Sequence, residues 1–292
     1  MRRIILSGAS GFLGSYVIKK ALEEGIDVIA ITSKSIIESE YTIIRTDDFL
    51  ENGYAFSEED IFINCLFPTN ADGWKMADGL EKVYRMISMA RKSGVGAIIN
   101  ISSQSVYASR RMSPAKEEDR LCLETPYAVG KYSSEVYNNA VFADKPHTNI
   151  RMASLLGTDY DQRIVNRMVD QALKGAQLKV VGGMQRYGFL DVRDAAAGIV
   201  KLALSDADTW KEVYNLGRNE SYTLIDVVEC IVAEMKVLTG RETQYTVTEG
   251  QDDRNSSLDA SVFMHDFDWR PDITLSETTA DIIKSKVSKT GE

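Results

Sequence analysis

A chain of 292 residues is long enough for one large domain, or for a main domain carrying a smaller lobe. Its 44% hydrophobic and 26% charged residues are the balance of a soluble globular protein, and a net charge of -9 disfavours broad binding to a phosphate backbone. No stretch approaches the ~20 apolar residues of a membrane span, and the Met1 to Gly14 segment lacks a signal-peptide cleavage site. A cytoplasmic protein with no nucleic-acid or membrane partner is therefore expected. With only His147 and His265, and with Cys65, Cys122 and Cys230 scattered, a His-rich metal site and a Ser/His/Asp triad are both hard to build, so no metal is expected.

Strand-like and helix-like stretches alternate from the start. Arg3 to Ser7 is a short apolar strand that ends in glycines, and Phe12 to Gly25 has helical spacing and closes on a glycine. "DVIAIT", "YTIIRT" and "DIFINCLF" read as further strands, and a long amphipathic helix runs from about Asp72 to Ser93. "GAIINISS" is a fifth strand, a helix starts at Pro126, and "HTNIRMAS" is a sixth strand. Continuous apolar strands between helices predict an α/β fold, a doubly wound parallel sheet covered on both faces. After Gly157 the pattern loosens into charged helices and short strands such as "QLKVV" and "EVYNLG". The expected division is a nucleotide domain over 1–157 with a returning segment near 187–217. A smaller C-terminal substrate-binding lobe takes 158–186 and 218–292.

"SGASGFLG" sets Gly8, Gly11 and Gly14 between the first strand and the first helix, with Ser10, Phe12 and Leu13 among them. Glycines here permit a sharp turn, close approach of a pyrophosphate to the amides, and tight helix–strand packing. The spacing is one residue longer than GxGxxG, but the strand–loop–helix context supports cofactor binding. At the end of the second strand an NAD site ordinarily has a carboxylate on the ribose 2′-hydroxyl. This chain has Thr32, Ser33 and Lys34, which would attract a 2′-phosphate, so NADP is expected in preference to NAD.

Tyr127 and Lys131 stand four residues apart, on one helical face, behind Thr125 as N-cap and Pro126 as first helical residue. A free tyrosine, with a pKa near ~10, is a poor base at neutral pH. A nearby ammonium is expected to lower that value and favour the phenolate. The YxxxK spacing is common by itself. Its support is "ISSQSVYA", which puts Ser102 and Ser103 at the exit of the fifth strand, where a hydroxyl can orient a substrate oxygen.

With "GASGFLG", "SSQSVY" and "YAVGK" in order, followed by "IRMASLLG", "GFLDVRDAA", "YNLG", "LDAS" and "WRP", nearly the whole chain resembles the extended short-chain dehydrogenase/reductase superfamily, in its nucleotide-sugar epimerase/dehydratase branch. The resemblance implies a Rossmann-type fold, with Tyr127 as acid/base, Lys131 as its electrostatic partner and Ser103 as the catalytic serine. It implies that Tyr127, Lys131, Ser102, Met152, Leu66 and Phe67 border the cofactor, with Asp47 or Asp48 near the adenine. On the substrate side it implies Ser103, Ser154, Asn166, Arg186 and Arg254, the last two on phosphate. Arg186 lies a residue or so out of step with the family arginine. Gln104 stands where sugar dehydratases carry an acid, which disfavours water elimination, and Gly79 lies near the place of a family asparagine. The implied activity is NAD(P)-dependent oxidoreduction or epimerisation of a nucleotide-linked sugar. Reduction of a keto-sugar or of a non-sugar carbonyl, and a non-catalytic NADP-binding regulator, are the alternatives. The long helices suit a homodimer.

Overall fold

The computed structural model describes residues 2–34, 40–68 and 73–290. Of the expectations above, Asp72 and the end of the "NCLFPTN" loop lie outside these residues. In chain order come β1 (Ile4–Ser7), α1 (Phe12–Glu23), β2 (Val28–Thr32), β3 (Thr42–Arg45), α2 (Thr46–Asn52), β4 (Ile61–Asn64), α3 (Gly73–Lys92), β5 (Ala97–Ser103), α4 (Pro126–Val141) and β6 (His147–Met152). The second half contains β7 (Ser154–Leu156), α5 (Ile164–Leu173), β8 (Leu178–Val181), β9 (Arg186–Tyr187), β10 (Phe189–Asp191), α6 (Val192–Leu204), β11 (Val213–Leu216), β12 (Tyr222–Thr223), α7 (Leu224–Thr239), β13 (Tyr245–Thr248), α8 (Ser261–Asp266) and α9 (Leu275–Thr290).

Seven strands form one parallel sheet in the order β11-β6-β5-β4-β1-β2-β3. β1, β2 and β4 are buried along their whole length because helices cover both faces. Alternate residues serve opposite faces. Ile4, Leu6, Val28 and Ala30 join a core with α1 and α6, while Ile5, Ile29 and Phe62 join one with α2, α3 and Phe142. A separate core in the second half unites Val165 of α5, Leu178 of β8, Val227 of α7 and Ile282 of α9.

Of the strands that are shorter than the sequence predicts, two end early at the edge of the sheet's carboxyl side. "DIFINCLF" leaves the sheet after Asn64, which frees Cys65 to Phe67 to form a loop at the carboxyl end. "HTNIRMAS" is cut at Met152, because the chain changes partners there. The Ala153 amide still bonds Leu216 O, but the Ser154 amide bonds Gly188 O, and β7 then pairs with β10.

A row of polar side chains crosses the sheet at one level. Ser7 is the register partner of Asn64, Asn64 of Asn100, and Asn100 of Asn149. Ser7 Oγ donates to Asn64 Oδ1 (2.8 Å), Asn64 Nδ2 to Asn100 Oδ1 (2.9 Å), and Asn100 Nδ2 to Asn149 Oδ1 (3.0 Å) and Ser134 Oγ (3.3 Å). Asn138 Nδ2 adds a bond to Asn149 Oδ1. Buried amides are costly unless paired, so this row fixes the rotation of α4, the helix that carries Tyr127 and Lys131.

Among the described residues no helix is long and apolar enough to cross a membrane, and no cluster of His, Cys, Asp or Glu is placed to hold a metal ion.

Candidate active site

The glycine loop joins the carboxyl end of β1 to α1. Gly8 adopts φ +71°, and a Cβ there would come within 2.8 Å of both the Cys65 carbonyl carbon and the Leu66 amide nitrogen. A Cβ at Gly14 would lie 2.4 Å from Gly8 O, so the first turn of α1 packs directly on the loop. Gly11 caps α1 without a side-chain hydrogen bond, which leaves the helix N-terminus open to an anion. Thr32 Oγ1 donates to Ser10 Oγ (2.9 Å), and the Lys34 amide donates to Thr32 Oγ1 (3.1 Å), tying the end of β2 to this loop. Ser33 and Lys34 are exposed, as are Asp47 and Asp48 in the first turn of α2.

A cavity of about 690 Å³ opens over the loop and the carboxyl ends of β5 and β6. Gly8, Gly11, Phe12, Leu13 and Gly14 line one wall, and Ser103, Tyr127, Lys131, Met152 and Ser154 line the other. The α4 start follows its sequence: Thr125 Oγ1 accepts from the Ala128 amide (3.1 Å), and Pro126 occupies the first turn. Ser102 borders the cavity, but its hydroxyl donates to Glu135, so its side chain serves the protein interior. Ser105, which the motif reading passed over, donates from Oγ to Ser103 Oγ (3.0 Å).

The electrostatics differ from the sequence expectation. Burial raises the Tyr127 phenol above its ordinary value; a hydrogen bond with Ser103 and the charge of Arg163 act in the opposite direction. Lys131 does not point at the phenol. Its Nζ donates to Ile101 O (2.8 Å) and sits 3.9 Å from the centroid of the Phe67 ring, against 5.8 Å for the Tyr127 ring. Phe67 lies edge-on to Tyr127, with centroids 5.4 Å apart. Two glycines make room for its loop. A Cβ at Gly130 would come within 3.2 Å of the Phe67 ring, and one at Gly79 would strike the Pro68 ring at 2.4 Å. That Pro68 contact gives Gly79 its structural reason.

Burial pushes the Lys131 amine down to about 7, with Cys65 and Glu135 opposing the fall. Between that value and the ordinary lysine pKa, the unfolded chain holds a proton that the folded chain has released. Stability therefore rises with pH across this window. A Cε-labelled NMR titration of the cofactor-free protein is expected to give Lys131 a midpoint near 7, and Lys131→Met should remove its share of the stability slope. A midpoint near the model-peptide value of ~10.4 would refute the desolvation.

A second cavity, of about 730 Å³, lies between α5, β8 and the 251–254 segment. Arg110, Arg167, Lys179 and Arg254 line it, with Asp252 among them. Arg254 is paired with Asp252, and its side chain remains 62% exposed. Arg186 does not line this cavity. Successive strand residues face opposite ways, so β9 turns Tyr187 to the cavity and Arg186 to Ser221 Oγ (3.3 Å). Asn166 lines neither cavity. It is fully buried, and its Nδ2 donates to Gly157 O (3.0 Å). Sequence reasoning also missed Tyr160 and Arg163 in the first cavity and Arg110, Arg167 and Lys179 in the second, all outside recognisable motifs.

The sequence model of the NAD dependent epimerase/dehydratase family matches residues 4–217. UDP-glucuronic acid decarboxylase 1 of Xenopus tropicalis is 24% identical over 310 aligned residues, covering 94% of this chain and 70% of that protein. A UDP-glucose 4-epimerase of Thermotoga maritima, solved with UDP-glucose, superposes with a TM-score of 0.80 at 21% identity over 100% of both chains. A UDP-glucuronic acid 4-epimerase of Bacillus cereus in complex with NAD gives 0.82 at 18% identity, over 100% of this chain and 98% of that one. At such identity the likeness to solved structures shows the fold. An NADP preference finds no support in these relatives.

Proposed function

Because the chain belongs to the NAD dependent epimerase/dehydratase family, we propose that it is an NAD(P)-dependent oxidoreductase or epimerase of a nucleotide-linked sugar, with Tyr127 carrying the proton. The observation that carries this reading is the single cavity shared by the glycine loop, Ser103, Tyr127 and Lys131. The residues present fit a dinucleotide: Gly8 and Gly14 leave no room for a Cβ, and the α1 N-terminus is uncapped. Gly8, Gly11, Phe12, Leu13 and Gly14 would hold its diphosphate side, with Met152, Leu66 and Phe67 nearer the nicotinamide. When bound, the nicotinamide supplies the acceptor and donor of the carbon-bound hydrogen.

The chain's own groups do the rest. Ser103 orients the sugar oxygen and Tyr127 exchanges the proton on it. Lys131, buried and held by Ile101 O, supports the ribose side of the pocket. The cationic lining of Arg110, Arg167, Lys179 and Arg254 supports the second cavity as the site of the substrate's nucleotide diphosphate. Ser154, at the edge of the first cavity, would meet the sugar. The lack of a carboxylate at Thr32, Ser33 and Lys34 supports a preference for NADP within this reading. Trp74, Val129 and Val136 leave apolar surface on α3 and α4, which suits a homodimer.

The reading is tested by incubating the protein with UDP-, dTDP-, GDP- and CDP-sugars and their 4-keto forms, with NAD or NADP, and separating the products. Conversion of at least one nucleotide sugar is expected. Conversion of none, or of one without any dinucleotide, would sink it. Tighter binding of NAD than NADP would sink the cofactor preference alone.

A further inference from the structure

The chain from Gly157 to Arg163 belongs to no strand or helix; it leaves β7 at Leu156 and enters α5 at Ile164. Side chains from two distant helices hold it. On one side is α1. Gly157 passes so close that a Cβ there would meet the Phe12 ring at 2.9 Å. Asp159 accepts from Tyr16 Oη (3.4 Å), and the half-buried Tyr160 ring packs on Phe12 with centroids 4.5 Å apart. Phe12 and Tyr16 are four residues apart and touch edge-on, so α1 offers this segment one aromatic face. On the other side is α9. Lys286 Nζ pairs with Asp161 (2.7 Å) and with Asp170 of α5 (2.8 Å), and Lys289 Nζ lies 3.6 Å from Asp159.

Tyr160 and Arg163 line the same cavity as the glycine loop, and Phe12, the partner of Tyr160, is the first residue of α1. The segment therefore walls the side of the cavity where the open N-terminus of α1 faces an anion. Its attachments are a ring pair and ion pairs whose carboxylates are mostly exposed, each modest by itself. Such a segment can open while both cores stay folded. We propose that residues 157–163 form a strap over the dinucleotide side of the cavity, clasped by Tyr160 on Phe12 and held by Lys286, and that its opening sets the rate at which the dinucleotide leaves. Slow release keeps one dinucleotide in place while the hydrogen returns to the sugar, which epimerisation needs and net reduction does not. The inference rests on the reading of this cavity as a dinucleotide site, but its test does not need activity.

The full chain is loaded with NADH or NADPH and mixed rapidly with an excess of the oxidised form, and the fluorescence of the reduced form reports release. In Tyr160→Ala release is expected to be about tenfold faster, the effect of losing one aromatic pair. Uptake, measured in a separate mixing, should be no slower than in wild type, because an unclasped strap eases passage both ways. Tyr160→Phe keeps the ring and should stay within about twofold of wild type. Lys286→Met, which leaves the cavity lining intact, should speed release about threefold. Lys284→Met removes the same charge from α9 away from the strap and should change nothing. Release within about twofold of wild type in Tyr160→Ala, or a loss of affinity carried by slower uptake, overturns the proposal. If Tyr160→Ala does not fold, unchanged release in Lys286→Met overturns it. Failure of the wild-type chain to bind either dinucleotide would instead sink the reading of the cavity, and the strap with it.

Discussion

Tyr127→Phe is expected to lower turnover by about 10²–10⁴-fold, the range for a positioned general acid–base, while dinucleotide affinity stays within about twofold. The substitution removes one oxygen and little else. The ring keeps its edge-on contact with Phe67, and α4 keeps its Thr125 cap and its anchorage through Ser134 and Asn138. The glycine wall of the cavity is untouched. What is lost is the hydroxyl that shares a hydrogen bond with Ser103. Steady-state kinetics on whichever nucleotide sugar is converted, with dinucleotide binding measured by calorimetry, separates the two effects. Wild-type turnover in the variant would remove Tyr127 from the chemistry.

Arg151→Met is expected to cost about 3–5 kcal/mol of stability, because it leaves a buried carboxylate without its cation. Arg151 and Glu135 have side chains only 7% and 4% exposed and pair at 2.9 Å. The remaining Arg151 nitrogens are also engaged: Nη1 donates to Tyr107 Oη (3.0 Å) and Glu117 O (3.1 Å), and Nε reaches both Glu135 oxygens. Glu135 in turn accepts from Ser102, the neighbour of Ser103, and lies one turn beyond Lys131. The network therefore joins β5, β6 and α4 directly beneath the cavity. Replacing both partners by apolar residues should cost less than the sum of the single changes, since no unpaired charge remains. Urea denaturation of the two single variants and the double variant tests this. A loss below about 1 kcal/mol in Arg151→Met would show the pair to be energetically idle.

Much of the frame was legible because it rests on patterns that the backbone enforces. The apolar runs "RIILS", "DVIAIT" and "GAIINISS" are strands buried on both faces, and Gly8 and Gly14 sit where a Cβ has no space. The asparagine row was legible in principle. "FINC", "IINI" and "TNIR" each place an asparagine after an isoleucine or threonine, at one level of the sheet once register is known. Register between distant strands is a tertiary fact, and no single strand announces it. The direction of Lys131 was hidden for a similar reason. Spacing of four puts it on the Tyr127 face, but the loop that sets the Phe67 ring beside both residues comes from a segment 60 residues earlier, through contacts at Gly79 and Gly130. Arg186 and Tyr187 show how finely a cavity depends on alternation, since one residue decides which side chain faces inward. Arg163 belongs to no motif, and only the fold brings it to the cavity that Tyr127 lines.

In the proposed reaction Tyr127 moves a proton while the hydrogen on the sugar carbon passes to and from a nicotinamide. The most direct test uses the converted nucleotide sugar with deuterium on the carbon whose hydroxyl is oxidised, and follows the label by mass spectrometry. The expected result is deuterium on that carbon of the product or in the dinucleotide, with neither in Tyr127→Phe. Deuterium released to solvent water would contradict the account.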